Sequence, residues 1–257
     1  MSERLAGRVG VITGGAGGIG GAGARLFAQE GAALALLDMD EEQGNATVKA
    51  IGDDGGRAVF VRGDASDPAD VERLVRTAVD EYGKLDLLWA NAGTGVARSV
   101  PDMSLEEWNR VVAVNLTGSF LLGKYGIPEV AKAGGGTMVI TGSANSFRAD
   151  RQWAAYCATK GGLLMLCKAM ALDHAEQGIR VNIVCPGSVT TPLHDAWLRD
   201  RLQDKTYDEL REEDRLAHPL HRFGTPEDVA KVALFLSCDE SGFTTGSPVY
   251  VDGGLTA

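Results

Sequence analysis

Tyr156 and Lys160 stand four residues apart in the run Ala155-Tyr156-Cys157-Ala158-Thr159-Lys160, and Ser143 lies thirteen positions before the tyrosine. On a helix, a spacing of four places the phenol and the ammonium on one face. That pairing suits proton transfer at a carbonyl or alcohol oxygen. Reducing a ketone by hydride needs a proton donor at the oxygen, and oxidising the alcohol needs a base there. A free phenol, with a pKa near 10, is a poor base at neutral pH. A neighbouring ammonium favours the phenolate and is expected to bring that pKa down. A serine hydroxyl can hold the same oxygen in place. The bland alternative is an ion–dipole pair on a helix surface.

A second group of residues could hold the hydride carrier. Thr13-Gly14-Gly15-Ala16-Gly17-Gly18-Ile19-Gly20 follows an apolar run and opens an amphipathic one. Around Ile19, the glycines Gly14, Gly18 and Gly20 permit a tight turn and a close approach of backbone N–H groups to a pyrophosphate at a helix N-terminus. Asp38 ends the next apolar run, eighteen residues after Gly20. A carboxylate there can accept from both hydroxyls of an adenosine ribose and repels a 2′-phosphate. Met39 offers no cation to attract one, so the expected cofactor is NAD rather than NADP. The competing reading is a tight turn beside a surface aspartate.

These residues need a scaffold that brings them to one edge. Continuous apolar runs at Val9–Thr13, Ala33–Asp38, Arg57–Arg62, Leu85–Ala90, Thr137–Thr141, Val181–Cys185 and Pro248–Val251 read as strands covered on both faces. Helical segments fall between them at about 17–30, 40–51, 67–82, 104–133, 154–177 and 226–237. This alternation predicts an α/β fold, a doubly wound, seven-stranded parallel sheet of Rossmann type. Ser104 and Thr225-Pro226-Glu227-Asp228 look like helix starts. No linker divides the chain, so one dinucleotide-binding catalytic domain over 1–257 is expected. The charge-rich stretch 191–222 breaks the rhythm. It follows a strand's carboxyl end, where open sheets bind ligands, and is expected to form a lid.

Composition narrows the partners. The 257 residues carry a formal net charge of −10, which disfavours nucleic acid or an anionic membrane as partner. No apolar run is long enough to span a bilayer, and the start MSERLAGRVG lacks the apolar core of a secretory signal. Cys157, Cys167, Cys185 and Cys238 form no C-x-x-C pair and read as free thiols in a reducing, cytoplasmic setting. No catalytic metal is expected.

Taken together, the motifs resemble the short-chain dehydrogenase/reductase family along the whole chain. They are T-G-x-x-x-G-x-G at Thr13–Gly20, N-A-G at Asn91–Gly93, Asn115 in VNLTG, Ser143, Y-x-x-x-K at Tyr156–Lys160, and Pro186-Gly187 followed by Thr191-Pro192. The resemblance implies a catalytic tetrad of Asn115, Ser143, Tyr156 and Lys160. It implies that Lys160 also binds the nicotinamide ribose and that Asn115 holds a water in a proton relay. Asp64, with Ala65 beside it, would contact adenine; Asn91 and Gly93 would line the adenosine side; Val189 and Thr191, with Pro186 upstream, would meet the carboxamide. A homotetramer is implied, with interfaces near 104–133, 154–177 and the C-terminal region. The fifth strand ends in Gly142-Ser143 where the family usually has two serines.

The expected activity is hydride transfer between NAD and a small-molecule secondary alcohol or ketone. Alternatives are an NADPH-dependent 3-oxoacyl carrier reductase, disfavoured by Asp38, and a dinucleotide sensor without turnover, disfavoured by the complete tetrad. Substrate contacts are expected from 94–98, 144–153 and 188–222. Arg148 and Arg151 could meet a substrate or lie on the surface. Trp153 and Trp197 could wall a pocket or pack in the core, and His194 and His218 flank the 191–222 stretch.

Overall fold

The computed structural model describes residues 3–202 and 205–257. Gln203 and Asp204, within the expected lid, lie outside the described residues.

The strands are β1 (Val9–Thr13), β2 (Ala33–Asp38), β3 (Arg57–Arg62), β4 (Leu87–Ala90), β5 (Gly136–Thr141), β6 (Ile179–Pro186) and β7 (Pro248–Val251). They form one sheet in the order β3-β2-β1-β4-β5-β6-β7, and every pairing is parallel. Strand order reverses between β1 and β4, and a doubly wound sheet opens its ligand crevice at the carboxyl ends there. Successive strand residues face opposite layers. Val11 joins a core with Leu74, Leu122 and Leu163, while Ile12 joins one with Phe27, Leu36 and Leu234. Burial on both faces explains the unbroken apolar runs.

The helices are α1 (Gly18–Gln29), α2 (Glu41–Asp53), α3 (Pro68–Tyr82), α4 (Leu105–Val111), α5 (Gly118–Lys132), α6 (Ala154–His174), α7 (Pro192–Asp200), α8 (Tyr207–Ala217) and α9 (Pro226–Ser237). Ser104 and Thr225 close capping boxes with Glu107 and Asp228, as their sequence contexts predict. Several boundaries differ from expectation: β5 begins one residue earlier, β6 is longer at both ends, and two further differences have a visible cause. β4 begins at Leu87 rather than Leu85, since Asp86 turns its buried carboxylate to the Val9 N–H at 2.8 Å. The segment 104–133 is not one α-helix: a π-helical turn, Val112–Thr117, separates α4 from α5 and contains Asn115. Among the described residues, no helix is long and apolar enough to cross a membrane.

Candidate active site

The carboxyl ends of β1, β2, β4, β5 and β6 open into a cavity of about 910 Å³. Gly14, Gly18, Ile19, Asp38, Asn91, Gly93, Ser143, Tyr156, Lys160, Pro186, Val189 and Thr191 all line it. Gly20, Asp64, Ala65 and Asn115 do not.

The glycine turn is built for an anion. The N–H groups of Gly14 and Gly15 donate to the Leu37 carbonyl at 2.8 and 3.2 Å, which ties the turn to β2. Gly14 and Gly18 have φ of +66° and +53°, which only glycine adopts readily. A Cβ on Gly20 would lie 2.0 Å from the Gly14 carbonyl oxygen, so this glycine makes the close approach behind the cavity wall. Gly17 provides no capping side chain, so the first N–H groups of α1 have neither cap nor intrahelical acceptor. Uncapped donors beside a cradle closed to Cβ atoms fit a pyrophosphate.

Asp38 accepts from the Ala16 N–H at 3.1 Å and the Asp40 N–H at 3.2 Å, so its carboxylate stands at the cavity edge beside the turn. Arg62 faces Asp38 in strand register, and its guanidinium lies 3.8 Å from Glu41. Asp64 sits in a shallower neighbouring pocket with Met39 and Arg62, and its carboxylate accepts from Ser66 N–H and Oγ at 2.8 and 2.7 Å. Ala65 is buried, with its carbonyl against Gly118.

At the centre, Tyr156 and Lys160 project from the first turns of α6 towards the end of β5. Lys160 Nζ lies 5.4 Å from the centre of the Tyr156 ring and donates to the Thr141 carbonyl at 2.8 Å. Ser143 stands against Tyr156, and its Oγ accepts from the Asn145 N–H at 3.1 Å. Burial pushes the Tyr156 phenol up to about 12, against the downward pull of Ser143. Burial likewise brings the Lys160 ammonium down to about 8. This corrects the expectation that the lysine depresses the tyrosine. With both groups shut away from water, burial is the leading influence on each and disfavours its charged form.

Asn115 is fully buried behind this centre. Its Oδ1 accepts from the Thr94 N–H at 2.8 Å, and its Nδ2 donates to the Thr94 carbonyl at 2.9 Å and to Thr159 Oγ1 at 3.1 Å. The side chain thus clamps the loop after β4 to α6. The Asn91 side chain also braces the turn: Nδ2 donates to the Gly14 carbonyl at 3.0 Å, and Oδ1 accepts from Thr141 Oγ1 at 3.1 Å. Thr141 was not singled out in the sequence, although it holds Lys160, Asn91 and, at 2.9 Å, the Trp89 indole. Its place directly before Gly142-Ser143 is the signal that could have marked it.

On the outer side, Trp153, Tyr156 and Trp197 meet edge to face, with ring centres 4.9 to 5.4 Å apart. The two tryptophans therefore wall the cavity. Arg148 lines it too but is paired with Asp150 at 2.6 Å, whereas Arg151 is exposed and does not line it. His194 pairs with Asp214 at 2.8 Å and joins α7 to α8. His218 Nε2 accepts from the Ser188 N–H at 3.1 Å, so its Nδ1 carries the proton and donates to the Asp214 carbonyl at 2.8 Å. Among the described residues, no three His, Cys, Asp or Glu side chains gather as a metal site.

A family model described as enoyl-(acyl carrier protein) reductase matches residues 14–256. The chain is 38% identical, over 99% of its length and 98% of the relative's, to a 2,5-dichloro-2,5-cyclohexadiene-1,4-diol dehydrogenase of Sphingobium indicum. It is 37% identical to a meso-2,3-butanediol dehydrogenase of Serratia marcescens, over 99% and 96% of the two lengths. The crystal structure of a levodione reductase superposes with a TM-score of 0.94 at 30% identity, covering 98% of each chain. A parallel seven-stranded sheet with a tyrosine–lysine pair beside a phosphate cradle agrees with these matches. The chain belongs to the short-chain dehydrogenase/reductase family. It is accordingly an oxidoreductase of a family whose dehydrogenases work with nicotinamide cofactors.

Proposed function

We propose that this protein is an NAD-dependent dehydrogenase of small secondary alcohols, also able to reduce the corresponding ketones. The observation that carries this reading is the convergence of Ser143, Tyr156 and Lys160 in one cavity with the glycine turn and Asp38. Gly14, Gly18, Ile19 and Gly20 would form the pyrophosphate cradle, and Asp38 would take the adenosine ribose hydroxyls. Asp64 and Ala65 would flank the adenine. Asn91 and Gly93 would line the adenosine side, and Pro186, Val189 and Thr191 would meet the carboxamide. The bound nicotinamide supplies the hydride acceptor or donor.

The protein's own residues handle the proton and the alignment. Tyr156 Oη takes the alcohol proton or returns it to the ketone oxygen, and Ser143 Oγ holds that oxygen. Lys160 would hold the ribose, and the positive charge of the oxidised ring would favour the phenolate. Asn115 fixes Thr94 and thereby the cavity wall, and it would hold a water in the proton relay. The relatives named for a cyclic diol and for butanediol support a small alcohol rather than an acyl carrier.

The reading extends to the rest of the molecule. We take residues 1–257 as one catalytic domain, with 191–222 as its lid: α8 buries no side chain, and α7 buries only His194 and Leu198. Exposed Phe120, Met165 and Leu172 on α5 and α6 support a homotetramer. Four free thiols support a cytoplasmic setting. The test is a comparison of NAD and NADP with a panel of secondary alcohols, read at the nicotinamide absorbance band. Turnover with NAD supports the reading; its absence across the panel contradicts it.

A further inference from the structure

Between β6 and α7 runs a short segment, 187–190, whose Gly187, Ser188 and Val189 line the cavity. Main-chain bonds hold most of it. The Gly187 N–H donates to the Val251 carbonyl at 3.1 Å, the Gly224 N–H to the Ser188 carbonyl at 2.9 Å, and the Thr190 N–H to the Gly224 carbonyl at 3.0 Å. A trans peptide is planar, so its carbonyl and its N–H point in opposite directions. With the Ser188 carbonyl bound to Gly224, the Val189 N–H therefore points away from Gly224. Among the described residues it has no acceptor.

One donor of the segment depends on a side chain instead. The Ser188 N–H donates to His218 Nε2 at 3.1 Å. His218 ends α8 and is buried, and its Nδ1 donates to the Asp214 carbonyl at 2.8 Å. The ring is thus a neutral tautomer with both nitrogens engaged, and Nε2 is fixed as the acceptor. A Cβ on Gly187 would lie 2.8 Å from that nitrogen, so glycine lets the imidazole reach the main chain. An apolar side chain could fill this space. Only one with an acceptor at its tip can also hold the Ser188 N–H.

We propose that His218 is a positioning residue for the nicotinamide end of the cofactor: by holding the Ser188 N–H, it fixes the next peptide so that the Val189 N–H is presented to the carboxamide oxygen. The proposal rests on the NAD-binding reading above and adds to it a residue of the second lid helix. Gly224 holds one side of the Ser188–Val189 peptide, and His218 holds the residue before it. Without the imidazole acceptor that peptide can rotate. The penalty then falls on the nicotinamide half of the cofactor, while the glycine cradle and Asp38 keep their own bonds to β2 and the turn.

The test uses the full-length protein and calorimetry with two ligands, NAD and ADP-ribose, which lacks only the nicotinamide. His218→Leu removes the acceptor. His218→Gln restores one, since its Oε1 can stand where Nε2 stood. The NAD Kd is expected to rise by about tenfold in His218→Leu and to stay within about threefold in His218→Gln. The ADP-ribose Kd is expected to stay within about threefold in both. Equal loss of both ligands in His218→Leu marks a general structural role and overturns the proposal. So does an unchanged NAD affinity in that variant, or a His218→Gln variant no better than His218→Leu. If His218→Leu fails to fold, nitrogen NMR of histidine-labelled wild type decides, with His218 assigned by its absence from His218→Gln. Its Nε2 is expected to carry no proton and to shift on adding NAD but not ADP-ribose. A protonated Nε2, or equal shifts with both ligands, overturns the proposal. A wild type that binds neither ligand contradicts the cofactor reading itself, and the role of His218 falls with it.

Discussion

Lys160 reaches the Thr141 carbonyl at 2.8 Å while its Nζ stays 5.4 Å from the centre of the Tyr156 ring. The ammonium is therefore held by the end of β5, under the phenol and at the rim of the cradle. Both groups pay for burial in opposite directions, the phenol up to about 12 and the ammonium down to about 8. In the free protein at neutral pH, Tyr156 is a neutral acid, suited to giving a proton to a ketone. Alcohol oxidation needs the phenolate, so its rate is expected to rise with pH up to the alkaline limit of stability. A pH–rate profile for oxidation that is flat or falls from neutral pH upwards would contradict this.

A buried ammonium also bears on stability. The folded-state pKa of Lys160, about 8, lies below its ordinary value of 10.5. The unfolded chain therefore binds the proton more tightly, and stability rises with pH between those two values. Replacing Lys160 by Met removes the buried charge, though it also leaves the Thr141 carbonyl without its donor. At pH 7, Lys160→Met is expected to melt a few degrees above the wild type and to lose turnover. The gap should narrow as pH rises from about 8 towards 10.5. Melting curves across that range check it, and a variant less stable than the wild type at pH 7 would refute it.

Cofactor choice is assigned to Asp38. Asp38→Ala removes the ribose acceptor together with the repulsion of a 2′-phosphate. It also frees the Ala16 N–H, which the carboxylate holds at 3.1 Å. NAD kcat/KM is expected to fall by about tenfold or more, and NADP kcat/KM to rise. Side-by-side kinetics with both cofactors decide. A wild type that already prefers NADP would instead bring forward Arg62, which faces Asp38 across the strands.

Much of this arrangement was legible in the chain. The apolar run closing on Asp38 marks a buried strand with a carboxylate at its end, and the Tyr156–Lys160 spacing marks one helix face. Asn115 could be named from its motif, but its π-helical turn could not be seen. One inserted residue leaves helical periodicity almost intact. The meeting of Trp153 with Trp197 joins the start of α6 to α7, a contact set by tertiary packing with no local signal. The direction for Tyr156 differs from expectation for a related reason: sequence shows a charge nearby but not how dry the site is.

The 191–222 segment offers a dynamic test. Its two helices are tied down mainly by polar links, such as His194 to Asp214, Tyr207 to Asp195 at 2.7 Å and Arg98 to Asp200. Segments with little buried apolar area open readily. Amide exchange in α7 and α8 is expected to slow on NAD binding more than in α2 or α3, and to slow further with a ketone analogue. Equal protection with and without ligands would make the segment a fixed wall.

The central claim is proton exchange at Tyr156 during hydride transfer to NAD. It is tested most directly by comparing wild type and Tyr156→Phe in the NAD-dependent oxidation of a secondary alcohol, with NAD affinity measured in parallel. The account predicts a loss of about 10³-fold or more in kcat with the NAD Kd changed by less than about threefold. A variant that keeps more than about a tenth of wild-type kcat would contradict it.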